Sequence, residues 1–132
     1  MKGMFAAVIH PRENGNGFEC RVPDFPGCVT SGETLEEACE MIEDAANLWA
    51  CDIETDGRPI PAQTPYQDVS CEAGDIVQLV RVDTETYRRL NDNRAVRKNV
   101  SIPAWMASQV ERRGINCSQV LQDALKQVLA PF

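Results

Sequence analysis

The sequence lacks any apolar run long enough to cross a membrane. A spanning helix needs roughly 20 consecutive apolar residues, and the first apolar stretch, residues 4–9, is far shorter than that. The same stretch is too short for a secretory signal, and no cleavage-like site follows it. We therefore expect a cytoplasmic protein that makes no contact with a membrane.

The spacing that metal sites require is missing as well. The chain has one histidine, His10, and six cysteines, and no two cysteines are spaced as C-x-x-C. Structural zinc sites need clustered thiolates or imidazoles, so the sequence predicts no metal site and no cofactor. An even number of cysteines is compatible with disulfides, but without a secretion signal we favour buried free thiols.

Positive charge is scarce in the first two thirds of the chain. Residues 1–86 carry 5 Lys/Arg against 17 Asp/Glu, whereas residues 87–132 carry 8 Lys/Arg against 3 Asp/Glu. The net charge of −7 therefore conceals an acidic part and a basic part. The basic part is suited to bind a polyanion, and the acidic part would repel a polyanion or imitate one. This asymmetry indicates a chain with two functions.

The acidic part has the pattern of a small α/β domain. Two β-favouring runs flank the Asn/Gly-rich turn at residues 14–17, which predicts a β-hairpin, and residues 28–32 suggest a third strand. Thr34 and Glu37 form a capping box that begins a helix. This helix is expected to bury one apolar stripe, formed by Leu35, Ala38, Ile42, Ala45, Trp49 and Ile53. Its polar side chains are expected to face outward: Glu36, Glu40, Glu43, Asp44 and Asn47.

Two further segments complete the acidic part. Residues 76–82 form an apolar run that predicts a well-buried strand. Residues 84–94 are charged and only weakly helical, which indicates a connector.

The basic part has the pattern of one strand and two short helices. Residues 96–102 alternate between apolar and polar side chains, and Pro103 ends this predicted strand and opens a helix over 104–113. Gly114 is placed to end that helix. Asn116 is expected to cap a second helix, with Gln119 completing its capping box.

A segment of this size is too small to fold alone. Units below about 40 residues rarely bury enough surface, and a single strand has no partner for its backbone hydrogen bonds. Antiparallel pairing with a second copy satisfies both needs, because the apolar faces meet and the polar faces share one surface. The segment therefore predicts a homodimer.

This arrangement, with its Val-Ser-Ile-Pro string at residues 100–103, resembles the ribbon-helix-helix repressors. The resemblance implies that the paired strands enter the DNA major groove and that Arg97, Asn99 and Ser101 read base edges. Arginine and asparagine have the donor geometry for guanine and adenine respectively. Two-fold pairing implies a palindromic operator. The alternative is a helical hairpin that only dimerises, with its cations merely solvated.

Two further positions belong to the predicted DNA surface. Ser118, with the backbone N–H groups that begin the second helix, is expected to hold a phosphate. Lys98 departs from the family pattern, which usually has an apolar residue there. Either the strand begins at Asn99, or the Lys98 side chain extends outward to the DNA.

The acidic part is similar to the HicB family of antitoxins. The similarity lies in the string PDFPGCVTSGETLEEACEMIEDAANLW at residues 23–49 and in GRPIP at residues 57–61. It implies a partially degenerate ribonuclease H-like fold and a partner, the HicA toxin, which is a small basic protein that cleaves mRNA. An acidic domain is suited to cover a basic RNA-binding surface. The candidate toxin contacts are Asp24 and Phe25 in the turn and Glu36, Glu40 and Glu43 on the helix.

Together these patterns predict an α+β protein in three parts. Residues 1–83 form the toxin-neutralising domain, residues 84–95 a linker, and residues 96–132 the ribbon-helix-helix domain, with a dimer or a tetramer as the assembly. The expected function is an antitoxin that represses its own operon and is not an enzyme.

Two alternatives remain open at this stage. One is a ribbon-helix-helix repressor whose first domain binds a ligand or only oligomerises. The other is a metal-dependent nuclease that uses Asp24, Glu33 and Asp75, although no D-x-D or D-E pair stands out on a strand.

Overall fold

The computed structural model describes residues 1–91 and 94–129 and divides into two units, Met1–Asn93 and Arg94–Phe132. The first unit is built on an antiparallel sheet in the order β3-β2-β1-β4. Its strands are β1 (Lys2–Pro11), β2 (Phe18–Arg21), β3 (Val29–Gly32) and β4 (Ile76–Asp83). The predicted hairpin is confirmed as β1 with β2, and the third strand as β3. The α+β class is confirmed, while the ribonuclease H-like assignment stays a prediction.

The long helix α1, Leu35–Thr55, begins and ends where the sequence predicts. Thr34 Oγ1 accepts a hydrogen bond from the Glu37 N–H at 3.1 Å, and Asp56 and Gly57 follow the last helical turn. The buried face of α1 is rotated from the predicted stripe, because Leu35 is 40% exposed whereas Ala46 and Ala50 are fully buried. Small alanines on this face allow the helix to lie close to the sheet.

The core lies between α1 and one face of the sheet. Successive side chains of a strand point to opposite faces, so Phe5, Ala7 and Ile9 of β1 face α1 and join its buried residues. The Phe25 ring packs on Phe5 with centroids 4.6 Å apart. Ala6 and Val8 point to the opposite face and are buried as well.

Gly32 sets the closest approach between β3 and α1. A Cβ at this position would lie 2.5 Å from Ala38 N and 2.8 Å from its Cα. We expect Gly32→Ala to lower the free energy of unfolding by about 1–3 kcal/mol, because the helix backbone must shift to admit the methyl group. Thermal melts would show this as a drop of about 4–8 °C per kcal/mol. Ser31→Ala is the control, since Ser31 is exposed on the same strand; equal melting temperatures for the two variants would contradict the contact.

Strand β4 is less buried than its apolar sequence suggests. It lies at the edge of the sheet beside β1, and only Val80 and Val82 are buried while Ile76 and Leu79 are 39% and 47% exposed. The prediction of a well-buried strand was therefore wrong. The physical reason is that α1 covers one face of the sheet: Leu79 points to the other face, and Ile76, on the same face as Val80 and Val82, lies at the first residue of the strand.

The segment predicted as a connector is largely the helix α2, Thr84–Asn91. Asp83 caps it by accepting hydrogen bonds from the N–H and the hydroxyl of Thr86. Arg88 donates to the Cys51 carbonyl at 3.0 Å, and the Tyr87 hydroxyl donates to Asp44 at 3.2 Å, so α2 packs on α1. Residues 84–91 thus belong to the first unit, contrary to the predicted linker at 84–95.

The second unit contains the two predicted helices, α3 (Ala104–Arg113) and α4 (Cys117–Leu129). Gly114 ends α3 with φ of 60°, and Asn116 Oδ1 accepts from the Gln119 N–H at 3.1 Å. The capping box is one-sided, because the Gln119 side chain donates to Asp123 instead. The predicted last residues of the domain, 130–132, lie outside the described residues. Within the described ranges, no helix is long and apolar enough to span a membrane.

Candidate functional site

The predicted DNA-reading residues lie in an exposed segment of the second unit. Residues 94–103 form no regular secondary structure within the single chain, so the predicted strand is not observed there. A strand is defined by hydrogen bonds to a neighbouring strand, and the expected neighbour is a second copy. Arg97, Asn99 and Ser101 are all exposed. The predicted flanking residues are exposed too: Lys98 in this segment and Ser118 in the first turn of α4.

Residues 94–129, the described part of the second unit, contain no buried core. Neither α3 nor α4 contains a buried residue. Large apolar side chains are exposed instead, among them Val96 at 83%, Trp105 at 67% and Val128 at 77%. Isolated helices of this length are marginal in water, and an exposed contiguous apolar surface marks an interface. The geometry therefore favours association through this unit.

The outward face of α1 combines acidic and apolar side chains. Glu36, Glu40 and Glu43 are exposed, as predicted from the helical pattern. Met41 and Leu48 of the same helix are also exposed, at 43% and 49%. A surface of this kind can bind a basic protein through charge complementarity with adjoining apolar contact.

The turn that contains Asp24 and Phe25 has a structural role. The Phe25 side chain is fully buried in the core, so it is withdrawn as a candidate toxin contact. Asp24 is partly buried, and its carboxylate accepts hydrogen bonds from the Thr64 N–H at 3.0 Å and from the Thr64 hydroxyl at 2.6 Å. These bonds fix the loop after α1 to the turn before β3.

Asn47 was predicted to face solvent, and that prediction was wrong. Its side chain is 7% exposed. The amide donates to the carbonyls of Glu43 and Arg81, and its oxygen accepts from the Asp83 N–H at 2.9 Å. An amide supplies donors and an acceptor together, which allows one residue to bridge α1 and β4. The periodicity of the helix places position 47 beside the apolar stripe, but nothing in the sequence shows the strand that it contacts.

His10 belongs to a hydrogen-bonded polar cluster on the face of the sheet opposite α1. Its Nδ1 lies 2.5 Å from Asp75 Oδ1, and the other Asp75 oxygen accepts from the Glu72 N–H at 2.9 Å. The Asp75 hydrogen bond raises the pKa of His10 above its usual value. The pKa of Asp75 is lowered, first by the Glu72 N–H and then by His10.

This pair predicts a pH dependence of stability. A raised histidine pKa stabilises the fold below about pH 6.5, and the effect is lost as pH rises through the folded-state pKa. The lowered pKa of Asp75 stabilises the fold above about pH 4, and this stabilisation is lost at more acidic pH. We expect the difference in unfolding free energy between the native chain and His10→Gln to be largest near pH 5.5 and to shrink toward pH 8.5. Urea titrations across this range measure it, and a pH-independent difference would contradict the pairing.

The carboxylates of the nuclease alternative serve separate contacts. Asp24 holds Thr64, and Asp75 holds His10. Among residues 1–91 and 94–129, no three His, Cys, Asp or Glu side chains form a group that can hold a metal ion.

The six thiols are free, but they are not uniformly buried as the sequence suggested. Burial raises the pKa of Cys28 to about 11 and also raises the pKa values of Cys20 and Cys51. Cys71 and Cys117 are exposed. The buried thiols are therefore protonated at neutral pH and behave as small core residues.

Comparisons with known proteins agree with this architecture. The family described as HicB-like antitoxin of bacterial toxin–antitoxin systems matches residues 5–124. A UPF0150 protein from Synechocystis is 34% identical over 58 residues, which cover 44% of this chain and 78% of that protein.

A chain of a toxin–antitoxin complex from Streptococcus pneumoniae superposes with a TM-score of 0.60 at 21% identity, covering 96% of this chain and 99% of its own length. The antitoxin HicB from Burkholderia pseudomallei gives a TM-score of 0.55 at 24% identity, with 97% and 99% covered. The structural likenesses show a shared fold, and the family match over most of the sequence shows that the chain belongs to the HicB-like antitoxins.

Proposed function

We propose that this chain neutralises a HicA-like, mRNA-cleaving toxin with its first unit and represses its own operon with a dimer of its second unit. One observation carries the second half of this proposal: α3 and α4 together contain no buried residue. The apolar side chains within residues 94–129 are all at least partly exposed, so they need a partner surface, and a second copy supplies one of matching size and shape.

The DNA-binding half rests on charge and exposure. Residues 94–129 carry 6 Lys/Arg against 2 Asp/Glu, which suits a polyanion. Arg97, Asn99 and Ser101 alternate with Val96, Val100 and Ile102 in an exposed segment. Pairing this segment with its copy would place the polar set on one surface and the apolar set against the helices.

The toxin-binding half rests on the acidic and apolar face of α1, defined by Glu36, Glu40, Met41, Glu43 and Leu48. The chain of Streptococcus pneumoniae with the same fold was solved as a toxin–antitoxin complex, which supports a protein partner for the fold. A HicA-like toxin is basic by resemblance, so the acidic side chains would attract it and the adjoining apolar side chains would hold it.

Charge reversal of this face tests the toxin contact. We expect Glu36→Lys, Glu40→Lys and Glu43→Lys, combined, to weaken toxin affinity at low salt by about tenfold or more, because attraction becomes repulsion. The matched control reverses three exposed acids elsewhere, Glu13, Asp68 and Glu85, which changes the net charge equally. Calorimetric titration with the toxin measures both. Equal affinities for the two variants would reject the α1 face as the contact.

A further inference from the structure

A cleft lies on the face of the sheet opposite α1, away from the proposed toxin surface. Its volume is about 700 Å³, within the range of small-molecule sites. The floor is formed by β1, β2 and β3, and residues 70–75 form one wall. The residues that matter for binding are His10, Arg12, Glu19, Arg21, Ser31 and Ser70.

His10 is held in one orientation at this cleft. Asp75 is the anchor: its side chain is 2% exposed, and each of its oxygens accepts a hydrogen bond. With Nδ1 bound to Asp75, the free Nε2 is directed away from the carboxylate, and the His10 side chain is 32% exposed. A histidine that is oriented by a buried carboxylate presents its second nitrogen in a fixed direction.

The cleft brings cations and carboxylates together. Two of the 7 Lys/Arg in residues 1–91, Arg12 and Arg21, line it together with His10, beside Glu19, Glu72 and Asp75. Arg21 donates from one nitrogen to the Ser70 carbonyl at 2.8 Å. Because a guanidinium carries five N–H donors, this bond fixes Arg21 and leaves donors for a ligand.

We propose that this cleft binds a small organic anion, with the anionic oxygens held by His10 Nε2 and the Arg21 guanidinium. The strongly acidic first unit disfavours a polyanion such as RNA, whereas a ligand with one anionic group feels mainly the nearby cations. The lining is about half polar and half apolar, which suits a ligand that carries polar groups on an apolar or aromatic framework. Glu19, whose side chain is 66% exposed, can accept hydrogen bonds from hydroxyl or amino groups on the same molecule. A nucleoside monophosphate has this combination of groups and this size.

The charge on His10 governs the strength of this site. Protonated His10 donates from Nε2 to the anion, and neutral His10 does not. Anion binding therefore raises the pKa of His10, and affinity falls as pH rises through that pKa. The charged groups that face His10 across the cleft and its wall are Arg12 directly after β1, Glu19 and Arg21 from β2, and Glu72 and Asp75 from the loop.

The single histidine makes the test site-specific, because the imidazole NMR signals of the full chain belong to His10 alone. We expect inorganic phosphate and adenosine 5′-monophosphate to shift these signals saturably near pH 6. The nucleotide should bind more tightly than phosphate, with a Kd of about 1 mM or below. Equal affinities for phosphate and for the nucleotide would show that only the anion is recognised. That result would overturn the role of Glu19, and no saturable shift with either probe would overturn the site.

Variants separate the cleft from general charge effects. Arg21→Gln should weaken nucleotide binding by about tenfold, the loss of one charge-assisted contact. Arg58→Gln is the control, since this substitution removes the same charge. Arg58 pairs with Asp56 outside the cleft. Equal weakening by both variants would overturn the proposal. If the Arg21→Gln chain unfolds, the titration of His10 in the native chain still tests the proposal. The midpoint of that titration must rise when the nucleotide is present. Toxin binding is not expected to change, so a failure of the anion-binding proposal leaves the antitoxin proposal intact.

Discussion

A chain carrying Arg97→Ala and Asn99→Ala is expected to lose sequence-specific DNA binding and to keep its affinity for the toxin. Each bidentate contact to a base contributes about 1–3 kcal/mol of discrimination. A dimer presents every contact twice, so removing both residues costs at least about 4 kcal/mol, or roughly a thousandfold in affinity. The measurement is a mobility shift on the DNA upstream of the gene, with toxin titration alongside.

The control for this variant is Gln122→Ala with Lys126→Ala. These residues offer the same two side-chain types, an amide and a cation, and both are exposed on α4. The control should bind DNA within a few-fold of the native chain. An equal loss of binding to operator and to scrambled DNA would mean that Arg97 and Asn99 contact only phosphates, which contradicts base reading.

The second large effect concerns the dimer. We expect Ile102→Asp with Leu125→Asp to abolish dimerisation at micromolar concentration and to remove the helical signal of α3 and α4. Both side chains are about half exposed in the single chain, at 46% and 45%, and would be buried by pairing. Placing an unpaired carboxylate in such an interface costs several kcal/mol, and each dimer would carry four.

Sedimentation and circular dichroism measure this outcome. The first unit should melt at an unchanged temperature, because its core residues all lie before residue 94. Gln122→Asp is the control, since it adds a carboxylate at an exposed polar position of α4. A double variant that still sediments as a dimer would show that the apolar surface is not the interface.

Local sequence signals predicted the boundaries of the helices well. Thr34, Gly114 and Asn116 each act within four residues of the backbone group they satisfy, so their effect is visible in the sequence alone. Burial was harder to predict, because it depends on what covers a residue. Asn47 is a polar residue and Phe25 lies in a turn, yet both are buried, since β4 and Phe5 reach them from distant positions in the sequence.

The candidate sites also differ in how far the sequence alone could predict them. The acidic helix face and the basic segment follow from periodicity and composition, so the sequence could show both. The cleft could not be predicted, because His10 and Asp75 are separated by 65 positions. Only the fold of residues 61–75 back onto the sheet brings them together, and no local pattern encodes that contact.

In the proposed function, the two units of one chain bind two different partners at once. Native mass spectrometry of the antitoxin mixed with the toxin and an operator fragment tests this most directly. We predict one complex that contains at least two antitoxin chains, toxin and DNA together, because separate units make the two contacts. Complexes that contain toxin or DNA but never both, or DNA with a single antitoxin chain, would contradict the account.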